Sequence, residues 1–236
     1  MFRLLSSLLL VCSLVLPACA ADRIFTTEEL LAGFHKTVFG LEYRRWSWQP
    51  YLVKKYMSPV RFYVHNMSEI DRRPVLDKFI RQVQIKVHGL QSSIVQDPEQ
   101  ANFNIYVVDR PNYLQIVREH VYKKADAKAP GRCLVRVVSD KNGIKHSTAV
   151  VVSDEGEFIF RRCMVEEVLQ GLGPMNDDDS LIHSVFNDHS RHNRFTTFDQ
   201  MILNMLYDDR ILPGMSTEDV DRVLPRVLQQ VRNRMN

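Results

Sequence analysis

The sequence predicts an α/β (α+β) fold: a mixed β-sheet with backing helices that leads into a helical C-terminal subdomain. Three observations predict it. Strand-like and helix-like periods alternate between residues 60 and 152, the last 80 residues carry helical periods only, and an acidic, amide-bearing helix, centred on Glu166-Glu167, joins the two parts.

The elements follow in order. Thr26-x-x-Glu29 is a capping box opening a short helix through Phe34 and Val38, with Gly40 as its stop. Pro59 precedes Val60-Arg61-Phe62-Tyr63-Val64-His65, which alternates like a strand. Ser68 is read as the cap of a long helix whose Leu76, Phe79, Ile80, Val83 and Val87 keep helical spacing. Residues 103–108 form a second, apolar strand, and 111–124 a helix with Leu114, Val117 and Val121 on one face. Two further strands, 134–138 and 149–152, flank the turn signal Lys141-Asn142-Gly143. A helix is predicted from about Phe160 to Leu172, a polar irregular stretch over 176–194, and a helix around Phe198, Met201, Ile202, Met205 and Leu206. The last helix, 217–234, is expected to kink at Pro225.

The N-terminus sets the expected compartment. One basic residue, Arg3, precedes an apolar run over 4–16, and Pro17 then leads to a small-x-small site at Ala18-Cys19-Ala20. This pattern is a secretory signal peptide over residues 1–20, so the protein is expected to be periplasmic or secreted. The rival reading is a lipoprotein acylated on Cys19, and membrane contact is expected only in that case. Cleavage after Ala20 removes one charge, that of Arg3, so the net +3 of the 236-residue chain falls to +2. Near balance argues against nucleic acid or another polyanion as partner. Cys133 and Cys163 remain, and in an exported chain they are expected to form a disulfide, the alternative being two buried thiols.

Chemistry concentrates in Glu166-Glu167-Val168-Leu169-Gln170-Gly171-Leu172-Gly173-Pro174-Met175-Asn176. In a zinc-protease helix, His-Glu-x-x-His sets two imidazoles one turn apart, with the Glu as general base. In metzincins a Gly then turns the chain so that a third His reaches the metal. Here Glu166, Gln170 and Asn176 stand at the three His positions, Glu167 at that of the base and Gly173 at the turn. The stretch thus resembles a metzincin helix that has lost its zinc ligands. Thr196-Thr197-Phe198-Asp199 followed by Leu206-Tyr207 resembles the metzincin helix after the active site, with Thr196 or Thr197 as cap and Asp199 at its positive end.

A wider set of residues carries a second resemblance. Glu166-Glu167-x-x-Gln170-x-Leu172-Gly173, Asn176-Asp177, Phe186-Asn187-Asp188 and Leu206-Tyr207-Asp208-x-Arg210-x-x-Pro213-Gly214-Met215 resemble an uncharacterised family of secreted bacterial proteins. Gly33-Phe34, Phe39-Gly40 and Pro59-Val60-Arg61 resemble its N-terminal part. The resemblance implies a bacterial exported domain related to metzincin-like peptidases, and it brings no activity with it. The expected organisation is a signal peptide (1–20), an N-terminal helical extension (21–57) and a zincin-like domain (58–236).

No cofactor is expected, and zinc least of all, because Glu166, Glu167 and Gln170 offer oxygens that suit calcium or magnesium better. The simpler reading is a structural polar cluster in which Glu166 and Gln170 bond the sheet edge or the loop at Asn176. His183, His189 and His192 are the substitute metal ligands to weigh, but their stretch lacks an apolar period and reads as an exposed loop. Asp177-Asp178-Asp179 reads as a solvated run or helix cap. Arg44, Arg45, Trp46 and Trp48 interleave charge with aromatic surface, with Lys54-Lys55-Tyr56 beyond. They are candidates for a glycan, membrane or protein contact, against the reading of a tryptophan packed under arginine stems. The leading expectation is a catalytically inactive peptidase-like protein of the cell envelope that binds a protein or peptide. The alternatives are an active metallohydrolase with Glu167 as base, and an envelope glycan- or membrane-binding module.

Overall fold

The computed structural model describes residues 25–39, 51–129 and 131–235. A five-stranded sheet has the order β2-β1-β3-β5-β4, formed by β1 (Val60–Asn66), β2 (Ser92–Ile94), β3 (Phe103–Val108), β4 (Cys133–Asp140) and β5 (Gly143–Val152). β2, β1, β3 and β5 run parallel, while β4 turns back through the tight Lys141-Asn142 hairpin and lies antiparallel on the edge. A mixed α/β architecture with backing helices is therefore present.

Alternation along the strands assigns the two faces. Val60, Phe62 and Val64, with Phe103, Ile105, Val107, Ala149 and Val151, point into the main core. On that side they meet α2 (Arg73–Lys86), α4 (Glu157–Gln170) and α5 (Thr197–Leu206). The reverse face presents Tyr106, Val108, Val150 and Val152 to α3 (Tyr113–Ile116), which continues as a π-helical turn over Val117–Tyr122. No helix among the described residues is long and apolar enough to cross a membrane.

Helix α1 (Thr27–Val38) opens on the Thr26/Glu29 capping box. It belongs to the main core and is not an appendage, since Leu30, Phe34 and Val38 are buried with α5 and α7 (Leu224–Met235). Gly33 makes this approach possible: a Cβ there would lie 2.4 Å from Phe198 Cζ. Helix α5 carries its own capping box, Thr196 with Asp199. At its far end the Tyr207 hydroxyl donates to the Leu172 carbonyl at 2.8 Å, tying α5 to the end of α4. Beyond it, Gly214 N–H donates to Val53 C=O at 3.0 Å and Val53 N–H to Met215 C=O at 2.9 Å.

Four elements depart from the sequence reading. Strand β2 was not expected; its three residues, Ser-Ser-Ile, are too short and polar to show a period. Ser68 does not cap α2, which starts five residues later with Pro74 in its first turn; Ser68 Oγ instead donates to Asp109 at 2.5 Å. The final helix is broken in two, α6 (Thr217–Asp221) and α7, because Pro225 belongs to the first turn of a new helix. Lys54, Lys55 and Tyr56 are buried rather than part of a surface patch. Lys55 Nζ donates to the carbonyls of Leu206 (3.2 Å) and Asp208 (3.0 Å), and burial lowers its pKa to about 8.

Candidate functional site

The second half of α4 is buried all round, so its polar residues are held inside the fold. Arg72 fixes the helix start: its guanidinium stacks 4.2 Å from the Phe160 ring centre and pairs with Glu157 at 2.7 Å. A disulfide joins Cys163 of α4 to Cys133 at the head of β4, with Cα atoms 5.7 Å apart. Edge strand and helix are thereby clamped as two walls of a cleft of about 350 Å³. Cys133, Leu134 and Val135 line one wall. Arg162, Glu166, Glu167 and Gln170 line the other, and Asp177 and Asp188 close the end.

One carboxylate oxygen each from Glu166, Asp177 and Asp188 lie within 4.8 Å of one another. This oxygen set has the character of a magnesium or calcium site. The fold also supplies its own donors to it. Arg162 Nη2 sits 3.4 Å from Glu166 and 3.6 Å from Asp188, and Gln170 Nε2 donates to both oxygens of Asp177 at 3.0 and 3.1 Å. The same guanidinium donates to the Asn187 carbonyl at 3.0 Å, which fixes the loop that carries Asp188. Arg162 thus pairs with two of the three carboxylates and Gln170 with the third, so the fold's own donors already engage the cluster.

The chain matches the family described as "protein of unknown function (DUF2927)" over residues 27–226. The chain belongs to this family. The DUF2927 match runs from the start of α1 into α7 and takes in both walls of the cleft. No curated protein matches the sequence.

Within this DUF2927 fold, the site residues expected from sequence are only partly brought together. Glu166, Glu167 and Gln170 share the cleft, but Asn176 does not join them. Its side chain donates to Lys36 C=O at 2.8 Å and its N–H to Thr37 C=O at 3.2 Å, so it anchors the loop to α1. The neighbouring Asp177 meets Gln170 instead, and the Asp177–Asp179 run is not merely solvated: Asp178 pairs with Lys36 at 3.0 Å.

The three histidines do not converge. His183 packs against the Phe25 ring, centroids 5.6 Å apart; His189 lies 3.6 Å from Asp179; His192 Nε2 lies 3.0 Å from Ile182 C=O. Among the described residues, no group of three metal ligands contains a histidine. Arg44, Arg45, Trp46 and Trp48 lie outside the described residues, as does the segment 1–20. Sequence reasoning missed Arg162 and Asp188. The available signal for Arg162 was its place one turn before Glu166, where an i,i+4 pair forms.

Proposed function

We propose that the protein is a peptidase-like binding protein of the bacterial cell envelope, without hydrolytic activity, that holds an extended peptide between β4 and α4. The observation that carries this reading is the cleft itself, one wall of which is a sheet edge: β4 pairs only with β5 among the described residues. Such an edge accepts an added strand through main-chain hydrogen bonds, with neighbouring pockets choosing side chains. Val152 N–H donates to Arg132 C=O at 3.2 Å, so by antiparallel alternation Cys133, Val135 and Val137 turn their main-chain groups outward. The carboxylates of Glu166, Asp177 and Asp188 favour a peptide with a lysine or arginine side chain at the cleft.

A relation to metzincin-like peptidases is supported by Glu166-Glu167-x-x-Gln170 on a helix that follows a mixed sheet with an antiparallel edge strand. Loss of hydrolysis follows from the residue types. A zinc-bound hydroxide needs nitrogen or sulfur ligands, which Glu166 and Gln170 do not supply. Export is supported by the signal-like N-terminus and by the Cys133–Cys163 disulfide.

The test is a fluorescence-polarisation screen of labelled octapeptides against the wild type and Val135→Pro. Proline is tolerated on an edge strand where its missing N–H faces outward, so the fold should survive and binding of Lys- and Arg-containing peptides should be lost. Equal binding by Val135→Pro would reject strand addition. Proteolysis of the same peptides, abolished by chelator and by Glu167→Ala, would establish the metallohydrolase alternative instead.

A further inference from the structure

A second cavity, of about 360 Å³, opens on the reverse face of the sheet, where α3 leaves the strands uncovered. Its floor is polar and comes from the strands: Asn104, Tyr106 and Thr148. Its rim is cationic or imidazole-bearing: His120 and Lys123 from α3 and its end, Arg136 from β4 and His146 from β5. No carboxylate is among the lining residues; Glu119 lies 3.9 Å from His120 Nε2 and accepts from Gln115 at 2.9 Å.

We propose that this cavity binds a small organic phosphate, a phosphate monoester whose oxyanion is held by Lys123, Arg136 and His146. Charge is the first argument. Neither Lys123 nor Arg136 has an ion pair within 4 Å among the described residues, whereas neighbouring Lys124 takes Asp126 and Lys145 takes Asp140. Arg136 spends one N–H on the Val121 carbonyl, 2.7 Å away, which aims its fork beside the end of α3. The two cations act on His146: burial first, then the charges of Lys123 and Arg136, hold its pKa below the usual histidine value. A bound dianion relieves that repulsion and receives charge-assisted hydrogen bonds from both.

Construction is the second argument. The turn before Lys123 is π-helical, and Lys123 itself is left-handed at φ 52°, the one non-glycine residue with positive φ among those described. Both features recur where a helix is reshaped to aim a side chain at a site. Tyr106 of the floor is stacked between His65 and the rim residue His120, with centroids 4.2 and 4.7 Å apart. His65 is pinned to Asn104 at 2.8 Å and His146 to Thr148 at 2.9 Å. The volume reaches the range of small-molecule pockets, and Val121 and Val138 provide an apolar side for the organic part of an ester.

The test is titration calorimetry of the mature protein in chloride buffer, with inorganic phosphate and with glycerol 3-phosphate as probes. The expected result is saturable binding of both, tighter for the ester, and weakened about ten-fold or more in Lys123→Asn and in Arg136→Gln. Asparagine tolerates the left-handed backbone and Arg136 is exposed, so both variants should melt like the wild type without ligand. Absence of binding at about 10 mM of either probe, or unchanged affinity in the variants, would overturn the site. Equal affinity for the two probes would overturn the assignment to an ester.

Discussion

Gln170 and Asp177 meet in the cleft, one amide nitrogen spanning both carboxylate oxygens at 3.0 and 3.1 Å. Gln170 on α4 is thus a hydrogen-bond donor that steadies an acid. Gln170→Glu would set two carboxylates against each other in a part-buried place. Its expected cost is about 1–3 kcal/mol near neutral pH, recovering on acidification as the pair takes up a proton. Urea denaturation of both proteins at two pH values measures it, and a pH-independent difference would contradict the geometry.

The disulfide gives the second prediction. Cys133 and Cys163 are separated by 30 residues. The Cys133→Ser/Cys163→Ser double variant is expected to lose about 3 kcal/mol by the chain-entropy account. Under the proposed function it should also weaken peptide binding, because one covalent tie between the two cleft walls is gone. Equal denaturation midpoints for the double variant and the oxidised wild type would refute a stabilising bridge.

Gly173 gives the third. It lies just past α4 at φ 138°, and a Cβ there would meet Lys54 O at 2.3 Å and Leu206 Cδ2 at 2.8 Å. Main chain cannot yield as a flexible side chain would. Gly173→Val is expected to cost about 3 kcal/mol or more. Thermal melting decides it, and a wild-type midpoint would show that the end of α4 can relax freely.

The fourth concerns Asp199, fully buried at the start of α5, whose pKa is pushed up to about 6. Burial is the larger cause, and hydrogen bonds from Ser184 (2.6 Å) and Thr196 (2.7 Å) oppose it. Between its ordinary value and about 6 the folded state binds more protons than the unfolded state, so Asp199 lowers stability as pH rises through that window. The shift is worth about 3 kcal/mol across the window. In Asp199→Asn this component is absent, so the stability deficit of the variant should shrink between pH 4 and about 6. Chemical denaturation across that range checks it; a constant deficit would mean that Asp199 does not titrate there.

Strands β1 and β3 were legible because one side of each faces a packed core, which imposes alternation and apolar content on Val60, Phe62, Val64, Phe103 and Ile105. The capping box at Thr26 was legible because it is local, as was a threonine cap for α5, which the sequence narrows to Thr196 or Thr197 and the structure places at Thr196. Strand β2 was not, since its place is set by pairing with β1 and not by its own side chains. In the site, Glu166, Glu167 and Gln170 were singled out by their resemblance to the spacing of a zinc-protease helix. Arg162, Asp177 and Asp188 were not recognised as its partners, because their meeting depends on how the 176–194 loop folds back over α4. That loop is ordered by polar contacts, such as Asn187 Nδ2 to Asp179 C=O at 2.8 Å, which leave no period in the sequence.

Edge strand β4 also bears on how the protein keeps company with copies of itself. An open strand edge is a template for fibrous self-association. Here its far half is guarded: exposed Arg136 and Asp140 put charge along it, and the pairing slips at Val138/Ser139, bending the ribbon. The half beside the disulfide keeps regular pairing from Cys133 to Val138 and lines the cleft that carries Glu166, Asp177 and Asp188. In the proposed function a short basic guest meets this regular half, while the charged, slipped half carries the features that oppose edge-to-edge pairing.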